Sequence, residues 1–141
     1  MRAEVFRAWI TAAAGVIGEQ RDHLTQLDAA IGDADHGTNL ARGFAAVTLA
    51  LPAAATPGTL LTTVGSTLIS KVGGASGPLY GMAFRRAGKS LGTLAEVGLP
   101  ALEAALDAAL AGVQQLGAAR EGDKTMVDAL APATRAPRAA R

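Results

Sequence analysis

The sequence contains no cysteine, and only 4% of its 141 residues are aromatic. Without cysteine the chain can form neither a disulfide framework nor a thiolate metal site. Its 13 lysines and arginines face 12 aspartates and glutamates, which gives a formal net charge of +1. Nucleic acids and anionic membranes are held by clustered positive charge. A chain this close to neutrality is therefore not expected to bind either of them.

Long apolar runs are also lacking. The run around residues 45–55 is too short to span a bilayer and is interrupted by Thr48 and Pro52. Charged residues at Arg2, Glu4 and Arg7 argue against a secretory signal peptide, so we expect a cytoplasmic protein. The length and a hydrophobic content of 50% fit one compact domain.

Helix-forming residues are abundant. Alanine and leucine dominate, and apolar residues recur at three- and four-residue steps, a pattern typical of amphipathic helices. The sequence therefore predicts an all-α protein. The predicted helices cover about residues 5–31, 38–51, 60–68, 78–91 and 100–113, with Gly32 ending the first, and Asp123 is placed to cap a short sixth helix.

The last residues differ in composition from the rest. Residues 131–141 contain two prolines, three arginines, no acidic residue and no large apolar side chain. Because they have little to bury, we expect residues 134–141 to form a mobile tail after a helical domain of residues 1–133. A nucleic-acid-binding tail is the functional alternative, but three arginines without aromatic residues support it weakly.

Three aspartates lie close together in the sequence. Asp28, Asp33 and Asp35 fall within eight positions around Gly32 and Gly37. On a continuous helix they would point in different directions, so a turn is needed to gather them. Gly32 and Gly37 are expected to supply the backbone freedom for that turn. Gathered carboxylates repel one another unless a cation lies between them, and oxygen ligands without a thiolate favour Mg²⁺ or Ca²⁺. The alternative is that Asp33 or Asp35 only caps the following helix.

The spacing of these residues excludes a calcium-binding EF-hand loop. A loop starting at Asp33 would place Thr38 where glycine is required and Phe44 where glutamate is required. Mg²⁺, which combines a few carboxylates with substrate phosphates, is therefore the predicted ion. His36 could act as a ligand, a phosphate contact, a phosphoryl carrier or a hydrogen-bonded turn residue. His23 is expected on the surface or between helices.

A glycine-rich segment, residues 73–77, is the second candidate site. Such a loop exposes backbone N–H groups, and the N-terminus of the helix after it attracts anions. The segment is a candidate phosphate cradle to which Ser76 adds a hydroxyl, although glycines equally allow a tight turn or a close helix crossing. Residues 83–90 superficially resemble a Walker A loop. They follow no strand and lie in a predicted helix, so we exclude that function.

Three segments of the chain resemble the DhaL family, the nucleotide-binding subunit or domain of dihydroxyacetone kinase. They are residues 27–44, 71–88 and 122–130, in the order and spacing of the family. The resemblance implies an antiparallel all-α helix barrel with a nucleotide at one end. It implies that Asp28, Asp33 and Asp35 hold two Mg²⁺ ions that bridge the phosphates of ADP or ATP. It also implies nucleotide contacts from His36, Gly37, Thr38, Asn39, Ala75, Ser76, Gly117 and Met126.

The resemblance also implies partner proteins. In family members that depend on the phosphotransferase system, ADP is a fixed coenzyme that a phosphocarrier subunit rephosphorylates. The γ-phosphoryl group then passes to dihydroxyacetone held by a separate kinase subunit. In other members ATP is the exchangeable donor. The sequence does not distinguish these two routes.

The resemblance ends near Ala133, so the barrel is expected to be incomplete at its C-terminus. Missing helices would expose apolar helix faces, which lead to instability, self-association or loss of activity. The leading hypothesis is a phosphotransferase subunit that acts with a dihydroxyacetone-binding partner. Two alternatives stay open: a non-catalytic nucleotide-binding remnant, and a helical interaction module that uses its exposed apolar faces, including contact with a second copy.

Overall fold

The structure, a computed structural model, describes the backbone of residues 1–139 and the side chains of residues 1–137. Every regular element in this part of the chain is a helix, so the all-α prediction is confirmed. The helices are α1 (Ala3–Glu19), α2 (Arg21–Asp28), α3 (His36–Ala50), α4 (Pro57–Lys71), α5 (Ser76–Leu91), α6 (Leu99–Gly117) and α7 (Met126–Ala139).

The helices pack largely in chain order. Helix α5 contacts α4 on one side and α6 on the other, α7 packs on α6, and α3 contacts α1, α2 and α4. Short loops place consecutive helices antiparallel. Three connections, residues 29–35, 72–75 and 118–125, therefore lie at one end of the bundle, which we call the loop end.

The core lies between the central helices. Val47, Leu60, Val64 and Leu68 are fully buried. Each such side chain contributes about 1.5–3 kcal/mol relative to an exposed position. Helices α4 and α5 approach so closely at Gly65 that a Cβ atom there would lie 2.5 Å from the carbonyl oxygen of Gly81. The absence of a side chain on Gly65 permits this approach. The resulting framework holds the loop end in place.

The first predicted helix is two helices in the structure. Gln20 separates α1 from α2, and α2 ends at Asp28 instead of continuing to Gly32. Gly15 and Gly18 have low helix propensity and precede the break. Helix α2 then packs mainly on α3. The apolar periodicity continues through the break and does not reveal it.

Helix α7 is longer than the sequence predicted. It continues through Pro132 and Pro137 to Ala139, although each proline removes one backbone hydrogen bond. Ala131 and Thr134 are buried, which stabilises the helix where a mobile segment was expected. Residues 140 and 141 of the predicted tail lie outside the described residues. A helix with an apolar stretch long enough to span a bilayer does not occur among residues 1–139.

Candidate metal and nucleotide site

The turn between α2 and α3 brings the three aspartates together. Asp28 is the last residue of α2, and Asp33 and Asp35 lie in the connection that leads to α3. One carboxylate oxygen from each residue lies within 4.8 Å of the others. Asp28 is half-buried and Asp33 is exposed. The predicted convergence is thus present in the structure.

Backbone hydrogen bonds fix the first of these carboxylates. Asp28 Oδ2 accepts hydrogen bonds from the backbone N–H groups of Asp35 at 3.0 Å and of His36 at 3.3 Å. These donors stand at the start of α3, where N–H groups lack partners within the helix. Asp35 occupies the N-cap position, but its side chain makes no capping hydrogen bond. Capping therefore explains Asp28 and does not explain Asp33 or Asp35.

The two glycines around the cluster permit close approach. A Cβ atom on Gly32 would lie 2.1 Å from Asp28 Oδ1, and one on Gly37 would lie 1.9 Å from the carbonyl oxygen of Arg21. Neither glycine has a positive φ, whereas Ala34 does, at 61°. The prediction that Gly32 and Gly37 provide the backbone freedom of the turn is therefore wrong. Ala34 takes the left-handed conformation instead, at a cost of about 1–2 kcal/mol.

The glycine-rich connection lies beside the first turn of α3. A Cβ atom on Gly73 would lie 3.6 Å from Asn39 Nδ2, and Gly74 has a φ of 67°. Helix α5 begins at Ser76, two residues before the predicted start, with Pro78 in its first turn. The Ser76 hydroxyl donates to the Gly73 carbonyl at 3.4 Å. The candidate phosphate cradle and the carboxylates are therefore neighbours.

The other residues implied by the resemblance also lie at the loop end. A Cβ atom on Gly117 would lie 3.2 Å from Leu79 Cδ2 in the first turn of α5, and half-buried Met126 begins α7. In the first turn of α3, Gly37 and Asn39 are buried while Thr38 is exposed. Ala75 precedes α5. Contacts from these residues to a nucleotide stay a prediction.

Sequence reasoning missed a hydrogen-bonded chain along α3. Asn39 Nδ2 donates to Asp35 Oδ2, and Arg42 Nη2 donates to Asn39 Oδ1 at 2.8 Å. Arg42 Nε donates to the carbonyl oxygen of Lys71 at 3.3 Å. The spacing of four residues and then three, which places side chains on one helix face, is the signal that could have revealed the chain.

The connection between α6 and α7 is held by another missed set of contacts. The Asp128 carboxylate accepts from the backbone N–H of Gly122 at 2.6 Å and of Thr125 at 2.9 Å, and these bonds lower the pKa of Asp128. The Thr125 hydroxyl accepts from the Val127 N–H at 3.2 Å. Thr125 and Asp128 thus form a capping box, which their spacing could have predicted. Asp123, the predicted cap, instead accepts from the Arg120 N–H at 2.8 Å.

An ion pair joins the same connection to α7. Both carboxylate oxygens of Glu121 accept from Arg135, at 2.9 and 3.1 Å. The hydrogen bond and the charge of Arg135 lower the pKa of Glu121. One of the three arginines assigned to a mobile tail therefore has a structural partner.

Residues 83–90 lie inside α5, as the exclusion of a Walker A loop requires. Arg85, Arg86 and Lys89 line an open groove of about 760 Å³ between α4 and α5. The groove faces the N-terminal half of α4 and the C-terminal half of α5, far from the loop end. His23 is exposed on α2, as predicted. Neither feature contributes to the candidate site.

Comparison with known sequences places this geometry in a family. A profile of the DAK2 domain matches residues 30–141, past Ala133, where the resemblance was expected to end. The ADP-binding subunit DhaL of a PEP-dependent dihydroxyacetone kinase from Escherichia coli is 42% identical over 126 residues, which cover 88% of this chain and 60% of the relative. The corresponding subunit of kinase 2 from Listeria innocua is 45% identical over 121 residues, which cover 83% and 56%. The chain thus spans less than two-thirds of the length of either relative.

A solved structure agrees with these sequences. The crystal structure of the dihydroxyacetone kinase from C. freundii in complex with AMP-PNP and Mg²⁺ matches with a TM-score of 0.78 at 29% identity. The match covers 99% of this chain and 26% of that one. Profile, sequence and fold lead to the same conclusion: the chain belongs to the DAK2 domain family, and the DhaL resemblance of its sequence is confirmed.

Proposed function

We propose that this chain is the nucleotide-binding part of a dihydroxyacetone kinase. It holds ADP or ATP through two Mg²⁺ ions bound by Asp28, Asp33 and Asp35, and the γ-phosphoryl group passes to dihydroxyacetone on a partner subunit. The observation that carries the proposal is the convergence of three carboxylate oxygens within 4.8 Å beside a glycine-rich helix N-terminus. The names of the relatives support it, since they describe ADP-binding subunits.

The donor set fits Mg²⁺. All three side chains offer carboxylate oxygens, the ligands that hard divalent cations prefer. The hydrogen bonds of Asp28 and Asp35 fall on Oδ2 in both residues, so each carboxylate would keep its other oxygen for a cation. Few protein ligands are needed, because Mg²⁺ commonly keeps waters and binds substrate phosphates.

The protein's part in phosphoryl transfer is positioning. Bound Mg²⁺ would neutralise charge on the phosphate oxygens, which is the main requirement of this reaction. The carboxylates would hold the ions at the loop end. Backbone N–H groups at the start of α5 would donate to phosphate oxygens, and the Ser76 hydroxyl would add a donor by leaving the Gly73 carbonyl. The acceptor sugar lies on the partner, so no catalytic base is required from this chain.

The identity of the phosphoryl donor is a separate question. We favour ADP as a fixed coenzyme that a phosphocarrier subunit recharges, because both DhaL relatives are named as subunits of PEP-dependent kinases. Native mass spectrometry of the purified chain tests this. Retained ADP supports the fixed coenzyme, whereas a nucleotide-free chain that exchanges ATP rapidly supports ATP as the free donor.

Replacing Asp33 and Asp35 together by asparagine tests the metal assignment. Calorimetry should show that the Asp33→Asn/Asp35→Asn variant loses Mg²⁺-dependent ADP binding by more than about 100-fold, since even residues behind the ligands contribute 10–100-fold to metal affinity. Asp22→Asn is the matched control, because Asp22 lies on α2 outside the cluster. Tight Mg²⁺-dependent binding by the double variant would refute the assignment.

A coupled assay with the partner subunits separates the proposed function from its alternatives. Turnover of dihydroxyacetone supports a kinase subunit. Nucleotide binding without turnover supports a non-catalytic remnant. Self-association that persists in EDTA, without nucleotide binding, supports an interaction module. Each outcome has a different readout, so one preparation of the protein can distinguish them.

A further inference from the structure

Asn39 is a buried polar residue beside the candidate cation site. Its exposed fraction is 7%, and it lies one helical turn after Asp35. Its amide nitrogen donates to the Asp35 carboxylate, and its amide oxygen accepts from Arg42 Nη2 at 2.8 Å. The amide therefore joins a candidate metal ligand to an arginine that the resemblance does not implicate.

The two partners determine the direction of this amide. An asparagine amide can present its oxygen and nitrogen in either of two orientations. A guanidinium group only donates hydrogen bonds and a carboxylate only accepts them, so Oδ1 must face Arg42 and Nδ2 must face Asp35. The reverse orientation would place oxygen against carboxylate and N–H against guanidinium. Without Arg42, half of this preference is lost.

Arg42 is itself fixed to another helix. Its Nε donates to the carbonyl oxygen of Lys71, the last residue of α4, at 3.3 Å. A cation at a helix C-terminus is favourable because the last carbonyl groups carry partial negative charge. Lys71 immediately precedes the glycine-rich connection. Arg42 therefore links the carboxylates on α3 to the element that leads into the candidate phosphate cradle.

We propose that Arg42 is a positioning residue for the cation site: it orients the Asn39 amide, which in turn holds the Asp35 carboxylate. The inference rests on the proposed function, because it takes Asp35 as a cation ligand. Hydrogen bonds behind the ligands orient them and commonly change metal affinity by 10–100-fold when they are lost. Arg42 is exposed, so the lower end of that range is expected.

The sign of the effect separates positioning from simple electrostatics. An arginine near a cation site repels the cation, so removing its charge should strengthen cation binding by Coulomb's law alone. A positioning role predicts the opposite result. Arg42→Met should therefore weaken cation binding although it removes a positive charge.

The experiment measures binding of Mn²⁺, used alone as a paramagnetic substitute for Mg²⁺, to the full chain by EPR titration. Arg42→Met should weaken binding about tenfold. Arg86→Met is the matched control, because Arg86 is also exposed and its loss removes the same charge. Like Arg42, Arg86 donates through Nη2 to a side-chain amide oxygen, that of Gln115, at 2.7 Å. The Arg86→Met variant should bind Mn²⁺ within about twofold of the unmodified chain. Arg42→Lys, which keeps the charge but not the two-pronged geometry, should recover part of the loss.

A double-mutant cycle tests the route through Asn39. If Arg42 acts through this amide, adding Arg42→Met to Asn39→Ala should weaken Mn²⁺ binding no further than Asn39→Ala alone. Additive losses would overturn the inference. Should Asn39→Ala fail to fold, Arg42→Met against Arg86→Met still decides.

Each result at Arg42 has one meaning. Unchanged or tighter Mn²⁺ binding by Arg42→Met overturns the positioning role, and so does equal weakening by Arg86→Met. Such results leave the metal assignment intact, provided that Asp33→Asn/Asp35→Asn abolishes binding. Absence of Mn²⁺ binding by the unmodified chain would overturn the metal assignment and, with it, this inference.

Discussion

Replacing Gly37 by alanine should separate α2 from α3. A Cβ atom at this position would lie 1.9 Å from the carbonyl oxygen of Arg21 and 2.6 Å from Thr25 Oγ1. Ordinary van der Waals contact begins at 3.4 Å, so the two groups must move apart by about 1.5 Å. The obstruction is helix backbone, which cannot rotate away as a flexible side chain can. Helix α2 must therefore shift and take Asp28 with it.

The cost can be worked out from two opposing terms. Overpacking of a tight contact costs about 1–3 kcal/mol, and a backbone obstruction belongs at the upper end. The higher helix propensity of alanine offsets at most about 1 kcal/mol of this cost. The net loss is about 2 kcal/mol of unfolding free energy. For a chain of this length, that lowers the melting temperature by roughly 6 °C.

Urea and thermal unfolding measure this loss, and Gly15→Ala provides the control. A Cβ atom on Gly15 would meet nothing within 4 Å, so this variant should be stabilised by up to about 1 kcal/mol. Gly37→Ala should also bind Mn²⁺ more weakly, because Asp28 is displaced. If Gly37→Ala matched the stability of Gly15→Ala, the close approach of α2 and α3 would be refuted.

Two further substitutions test the connections at the loop end. Ala34→Gly relieves a left-handed conformation and should raise the unfolding free energy by up to about 1 kcal/mol in urea titrations; a clear loss would contradict the assigned φ. Asp128→Asn should lower the melting temperature at neutral pH. Backbone hydrogen bonds lower the folded-state pKa of Asp128, so its stabilising contribution is present above the ordinary carboxyl pKa and is lost as the pH falls through the lowered value. Melting curves should therefore converge in acid, and a pH-independent difference would disprove the capping box.

The central helices could be predicted from local pattern because burial and periodicity agree there. Leu60, Val64 and Leu68 recur every four residues and are all fully buried in α4. The break at Gln20 could not be predicted, because apolar spacing continues through it. The continuation of α7 past Pro132 could not be predicted from local pattern either. A local rule against proline is outweighed by burial.

In the candidate site, the sequence predicts the identity of the residues but not their arrangement. Asp28, Asp33 and Asp35 could be found from the sequence because cation binding demands carboxylates, and few residue types can provide them. Their arrangement could not be found. The left-handed residue is Ala34, a residue type that rarely adopts this conformation, and the residue that caps α3 is Asp28 from the preceding helix. The contact of Arg42 with Asn39 could be predicted from their spacing, but its contact with Lys71 depends on where α4 ends.

Hydrogen bonds at the loop end make the geometry of the carboxylates depend on the placement of α2, α3 and α4. Asp28 joins the end of α2 to the start of α3 through the backbone N–H groups of Asp35 and His36. Arg42 joins α3 to the end of α4. A shift of any one helix therefore moves a carboxylate, whereas a change in the groove near Lys89, at the other end of α5, moves none of them. Substitutions that displace α2, α3 or α4 at the loop end should therefore weaken cation binding and lower folding stability together, whereas substitutions in that groove should change folding stability alone.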